Sequence, residues 1–275
     1  MSRAIDTFYE EVIGRFVREG IFAPATDRIL VVAGGERDRR ALQSLGFRNV
    51  TISNLDTRMA GTEYAPYDWS YQDAEDLRFP DGSFDFCVVH NGLHHCASPH
   101  HAVVEMLRVA RTGVVLFEPY DNVLTRIGVW LGFGQDFEHA AVFCNACEYG
   151  GLRNSAVANY VYRFTRRELY KTVKCGVPYG PPQVRFVHEL RIPWTQLRGR
   201  KNRLFLIAVL ALEPLLRGLT KLVPSWANCF AALVLKPRLP QDTYPWVVCG
   251  ADGRIAANRE WLSSRYRARQ SSRRP

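Results

Sequence analysis

The sequence lacks any apolar stretch long enough to cross a membrane. Its longest run, Leu204–Leu212, falls far short of the ~20 residues that a spanning helix requires. A secretory leader is missing as well, because MSRAIDTFYEEV is not a basic end followed by a long apolar run. The even cysteine count of a disulfide framework is absent, with seven cysteines in 275 residues. These absences together predict a reducing, cytoplasmic setting. A second Cys-x-x-Cys is also missing. Cys144 and Cys147 therefore lack partners for a four-ligand zinc site, and no thioredoxin-like context surrounds them. They read as small residues in a packed segment.

What is present is ordinary globular material, 47% hydrophobic and 23% charged. The length suits one α/β domain with insertions. The net charge is +9, with much of the surplus late in the chain. After residue 250, seven arginines from Arg254 to Arg274 face only Asp252 and Glu260. Such a tail can bind phosphates, anionic lipid or nucleic acid, but reads first as solvated and partly frayed.

The pattern is organised around residues 67–119. Phe84–His90 is a short apolar run suited to a strand buried on both faces. Ser98 and Pro99 open a helix as N-cap and first-turn proline. Val103, Val104, Leu107 and Ala110 give that helix its apolar face, with Gly113 as its end and Val114–Phe117 as the next strand. Upstream lie an amphipathic helix over 4–20, a strand at Arg28–Ala33, a Gly34-Gly35 turn and a helix from Arg37 to Leu45. Strands at Asn49–Ser53 and Tyr67–Tyr71 follow, with Trp69 and Tyr71 assigned to the core.

The ordered run Asp73-Ala74-Glu75-Asp76-Leu77-Arg78-Phe79-Pro80-Asp81-Gly82-Ser83-Phe84-Asp85, followed by Leu93-His94-His95, resembles the class I S-adenosylmethionine-dependent methyltransferases of the small-molecule, type 11-like branch. The resemblance covers residues 28–119 well and the rest loosely. It implies an α/β fold: a Rossmann-like, doubly wound, seven-stranded sheet with helical and lid insertions. The expected parts are a helical cap over 1–27, a methyltransferase domain over 28–240 with insertions near 120–160 and 195–225, and a basic extension over 241–275. S-adenosyl-L-methionine is the implied cofactor. Its implied contacts are Ala33, Gly34 and Gly35 at the first turn, Asp56 on the ribose, Asp73 and Ala74 at the adenine, and His90 and Asn91 near the methionine part. The first loop departs from the family: Val31 replaces the usual acidic residue, and Ala33 and Arg37 replace two of the usual glycines. That departure motivates an alternative, a degenerate binding or regulatory subunit.

Five of the seven histidines fall between 90 and 101. Adjacent pairs point their side chains apart, which argues against a metal site. Methyl transfer to a hydroxyl calls for a general base near neutral pKa, and His95, then His94, are the candidates, with His139 on the lid as outsider. The expected reaction is O-methylation of a sugar or other secondary metabolite. Nucleic acid is disfavoured, since no Asn/Asp-Pro-Pro-Tyr motif follows the fourth strand. Beyond Pro119, residues 120–160 read as a functional lid. Thr165 with Glu168 forms a capping box, and strands are expected at Gln183–Leu190 and Cys229–Leu235. Between them an apolar helix over 202–222, broken at Pro214, is assigned to core or a substrate pocket, with contact at a membrane surface left open.

Overall fold

A computed structural model describes residues 3–59, 62–192, 194 and 203–271. Seven strands form one mixed sheet: β1 (Arg28–Val32), β2 (Asn49–Asn54), β3 (Asp68–Tyr71), β4 (Phe84–His90), β5 (Ala110–Pro119), β6 (Gln183–Glu189) and β7 (Cys229–Leu235). Their order is β3-β2-β1-β4-β5-β7-β6. The first five run parallel and β7 runs antiparallel to both β5 and β6. The sequence stops alternating in β1 and β4 because both faces of these strands are buried. One face is covered by α3 (Pro99–Val109) and α6 (Arg166–Gly176), through Val103, Met106, Leu107, Leu169 and Val173. The other is covered by α1 (Arg3–Arg18) and α2 (Glu36–Ser44), through Val12, Ile13, Phe16, Ala41 and Leu42. The expected doubly wound sheet is thus the observed one. Ile13 and Phe16 are fully buried, each such side chain stabilising the fold by about 1.5–3 kcal/mol.

The caps behave as the residues dictate. The Ser98 side chain accepts from the His101 N–H, and Thr165 and Glu168 make the reciprocal capping box that opens α6. Gly113 does not end α3. That helix stops at Val109, and Gly113 lies inside β5, where a Cβ would stand 2.3 Å from the Val234 carbonyl oxygen. Its glycine signal came from the close approach of β7, not from a helix terminus. Tyr71 is 56% exposed, because β3 is the sheet edge, so its assignment to the core fails.

Two insertions and a C-terminal extension decorate the sheet. The 120–160 segment holds α4 (Val123–Trp130) and α5 (His139–Cys144). The second carries α7 (Arg203–Leu222), which runs through Pro214 without the expected break. Proline there removes one intrahelical donor, but Pro214 is exposed, so water can meet the freed carbonyl. Past β7 the chain is not a frayed tail over its described part. It forms a hairpin of β8 (Val247–Cys249) and β9 (Ile255–Ala257) and then α8 (Arg259–Ser271), with Trp246 5.8 Å from Trp261 between ring centroids.

Candidate active site

The carboxyl ends of β1, β2 and β4 open into a cleft of about 210 Å³. Ala33 and Asn91, just past β1 and β4, both take left-handed backbone angles, φ 51° and 54°. Neither is glycine, so each conformation is held by its surroundings at some cost. Gly92 allows the two turns to meet, since a Cβ there would stand 2.7 Å from that of Ala33. Asn54 ties the β2 end to the first turn by donating to the Gly34 carbonyl at 2.8 Å.

Two carboxylates face this cleft. Asp56 accepts from Arg58 through both oxygens, at 2.9 and 2.6 Å, and that hydrogen-bonded guanidinium holds its carboxyl below the usual range. Asp73 is held by Arg153, which arrives from the insertion. Ala33, Asp56, Asp73, Ala74, Asn91 and His95 all line the cleft. Gly34, Gly35 and His90 are not among its lining residues.

His90 instead turns behind the first loop. It stacks on Tyr9 of α1, ring centroids 4.7 Å apart, with Nδ1 3.9 Å from Asp38 Oδ1. Burial, reinforced by the nearby charges of Arg191 and Arg37, pushes its pKa down to about 3. Burial likewise pushes Asp38 up to about 6, against the opposing hydrogen bond from the Gly35 N–H at 2.9 Å.

In front of the cleft a second corner forms. Glu118, at the end of β5 and buried, accepts from the Gly92 and Leu93 N–H groups at 2.9 and 2.8 Å. Its other oxygen lies 2.9 Å from His94 Nδ1. His94 Nε2 reaches Glu138 Oε2, from the insertion, at 3.3 Å. Burial alone would lower the His94 pKa, but Glu118 and Glu138 together hold it up at about 9. The two carboxylates thus favour the protonated form of His94. The pKa of His95 is lowered by burial and by the charge of His94. Its Nδ1 lies 3.4 Å from the Gly151 carbonyl and its Nε2 3.4 Å from Glu138 Oε2. Asn159 closes the corner, donating to the His94 carbonyl at 2.9 Å.

The adjacent histidines do not diverge. The 3₁₀ turn Leu93–His95 sets their rings 4.6 Å apart and tilted by 36°. Donor atoms of His94, His95 and Glu138 lie within 4.8 Å of one another and could hold a divalent cation. The same contacts also suit an imidazolium shared between carboxylates. His139 is exposed, near Phe137, and does not line the cleft. Its neighbour Glu138 is the residue of this insertion that reaches the site. Glu118, Glu138, Asn159 and Arg153 carried no motif. Only the placement of Glu118 at a strand end before Pro119 hinted at a site.

Residues 31–117 match the family described as a methyltransferase domain. Similar solved structures include a candidate methyltransferase from an antibiotic biosynthesis pathway of Anabaena variabilis, 16% identical, covering 84% of this chain and 98% of that one, TM-score 0.50. Another is magnesium protoporphyrin IX methyltransferase of Synechocystis with bound SAH, 10% identical, covering 84% and 83%, TM-score 0.49. A third is the YcgJ protein of Bacillus subtilis, 14% identical, covering 83% and 99%, TM-score 0.48. At these identities the likeness is one of fold. No curated protein matches the sequence.

Proposed function

The chain carries a class I S-adenosylmethionine-dependent methyltransferase domain, and from that premise we propose that it methylates a hydroxyl of a small-molecule acceptor with His95 as the general base. The observation that carries this reading is that His95 alone, of the five histidines between 90 and 101, lines the cleft. The cleft fits the cofactor by the chemistry of its donors. Asp56 and Asp73 can accept from a ribose diol and an exocyclic amine, in place of the Arg58 and Arg153 guanidiniums they hold here. Ala74 and Asn91 would offer backbone beside them. When bound, S-adenosylmethionine supplies an electrophilic methyl carbon on a sulfonium and departs as the neutral thioether.

The residues then divide the remaining work. Gly151 holds the His95 ring with the proton on Nδ1, which leaves the Nε2 lone pair for the acceptor hydroxyl. As the acceptor oxygen bonds to carbon, its proton passes to Nε2, and Glu138 at 3.4 Å stabilises the imidazolium. Glu118 fixes the turn that presents His95 by taking both of its leading N–H groups. The family allows a range of acceptors. A sugar or other secondary metabolite is the acceptor class proposed here.

Two measurements test the reading. Calorimetry with S-adenosylhomocysteine should show binding that Asp56→Ala weakens by about 1.5–3 kcal/mol, the worth of charge-assisted hydrogen bonds. Absence of heat at millimolar ligand would refute cofactor binding. Once an acceptor is identified, His95→Ala should lower kcat by ~10²-fold or more at unchanged cofactor affinity. The wild-type pH–rate profile should rise through a pKa below the usual imidazole value of 6.5, as the lowered pKa of His95 requires, and flatten in the variant. A folded His95→Ala enzyme with normal turnover would eliminate the base.

A further inference from the structure

The two insertions end in a surface that the fold itself does not cover. Helix α4 leaves the carboxyl end of β5, and α7 is inserted between the end of β6 and the start of β7. Pro119 and Glu189 both pair with Cys229, so the two helices depart from the same end of the sheet as the cleft. They are tied together through residues 225–227, whose carbonyls at Ser225 and Ala227 accept from the Asn122 side chain at 3.2 and 2.6 Å. Their outer sides are strongly apolar. Val123, Ile127 and Trp130 of α4 are exposed, Trp130 by 83%. Ile207, Leu210 and Leu215 of α7 are each more than half exposed, and Val209 alone is buried among the side chains described there. An apolar helix left bare on most of its circumference marks a face that something else covers.

The charge around this face says what covers it. Among the side chains described from 185 to 226, Arg185, Arg191, Arg217 and Lys221 stand with Glu189 and Glu213. Beside α7 a groove of about 550 Å³ runs along β6, lined by Arg15, Arg185, Arg217 and Lys221 with Glu19 and Glu189. Apolar side chains rimmed by cations are the pattern of a helix lying in a headgroup layer. No described helix is long and apolar enough to cross a membrane, so the contact is peripheral.

We propose that α4 and α7 dock this protein on an anionic lipid bilayer. The side chains of Trp130, Leu210 and Leu215 enter the headgroup boundary while the basic groove takes lipid phosphates. The cleft shares this end of the sheet, so the acceptor is taken from the membrane. This last step rests on the methyl-transfer reading, whereas the docking surface does not. Of the readings open for the apolar helix, core, substrate pocket or membrane surface, it takes the last.

The test is partition of the full chain onto vesicles of phosphatidylcholine with and without phosphatidylglycerol. Binding should require the anionic lipid and weaken several-fold in high salt. Leu210→Glu and Trp130→Glu should each lower it ~10-fold or more, while far-UV circular dichroism and cooperative thermal melts confirm that the variants stay folded. Should a variant fail to fold, brominated acyl chains should quench wild-type fluorescence, and quench Trp130→Phe much less. No partition onto either vesicle would overturn the proposal. So would a dimer in sedimentation that Trp130→Glu dissolves, since that would make the face a contact between two copies of the chain. Vesicle binding that persists where calorimetry shows no cofactor would leave the docking surface standing and remove the methyl-transfer reading instead.

Discussion

Two corners flank the end of β4, and each sets a histidine beside a carboxylate in a dry environment. Behind the first loop, His90 meets Asp38 under Tyr9 and Phe117. In front of it, four residues on, His94 meets Glu118 and Glu138. Burial is nearly the same, with the His90 side chain 4% exposed and that of His94 7%. The protonation states are opposite, at about 3 and about 9. The difference is geometric. Asp38 spends its hydrogen-bonding oxygen on the Gly35 N–H and stands 3.9 Å from His90, whereas Glu118 makes a 2.9 Å contact with His94. At 3.9 Å the pair gains too little to offset desolvation, so both partners drift toward neutrality. At 2.9 Å with a second carboxylate behind, the charge is kept. The rear corner packs, and the front corner keeps its charge beside the cleft.

The largest test of this contrast is Glu118→Ala. It strands two buried N–H donors and leaves His94 without its closest partner, so stability should fall by about 3–5 kcal/mol in urea titration. The pH dependence sharpens the point. The His94 pKa is raised above its unfolded value of 6.5. Its stabilisation is therefore fully present below pH 6.5 and lost as the pH rises to about 9. Melts between those limits should show a decline on the order of 3 kcal/mol in the wild type. Glu118→Gln should flatten much of it. An unchanged slope would mean that His94 is neutral.

A smaller effect is expected at the rear, where two linkages oppose each other. The His90 pKa lies far below 6.5, so acidification below that value destabilises the fold as the unfolded chain gains the proton first. The Asp38 pKa is raised from 3.8 to about 6, so acidification between those values stabilises it. The groups facing the pair are Tyr9, Phe117, Arg37 and Arg191. Asp38→Asn removes the compensation. It should make the protein more acid-labile than the wild type by about 1 kcal/mol between pH 6 and pH 5. Equal acid slopes for the two proteins would break the assignment.

The smallest is Arg153→Ala, which releases Asp73 at the edge of the front corner. Arg153 is 54% exposed in this pair, so its stability should change by only about 0–1 kcal/mol. Cofactor association should become faster as the carboxylate is freed, a change read by stopped-flow binding. Slower association would show that Arg153 helps hold the cofactor.

The first five strands and most of the cleft residues were legible in residues 28–119 because local rules act there without competition. Val and Phe runs buried on both faces, Ser98-Pro99 opening a helix, and acidic residues just past strand ends each fix a position within a few residues. Ala33, Asp56, Asp73, Ala74, Asn91 and His95 meet in the cleft for that reason. His90 was misplaced by a matter of facing: successive side chains of a strand alternate, and its ring turned to Tyr9 while the backbone beyond it turned to the cleft. Gly113 was misread because close approach and helix termination favour the same residue.

By itself, then, the sequence determined the strands of the sheet and most of the residues that line the cleft, because hydrophobic pattern and turn chemistry are local. Only the tertiary structure decided which histidine is charged, which is neutral and which faces the cleft. Those states depend on contacts between His94 and Glu118, 24 residues apart, and between His95 and Gly151, 56 apart. The bare apolar face of α4 and α7 was decided there too. Whether a leucine is core or surface depends on what folds against it, and among the described residues almost nothing folds against α7.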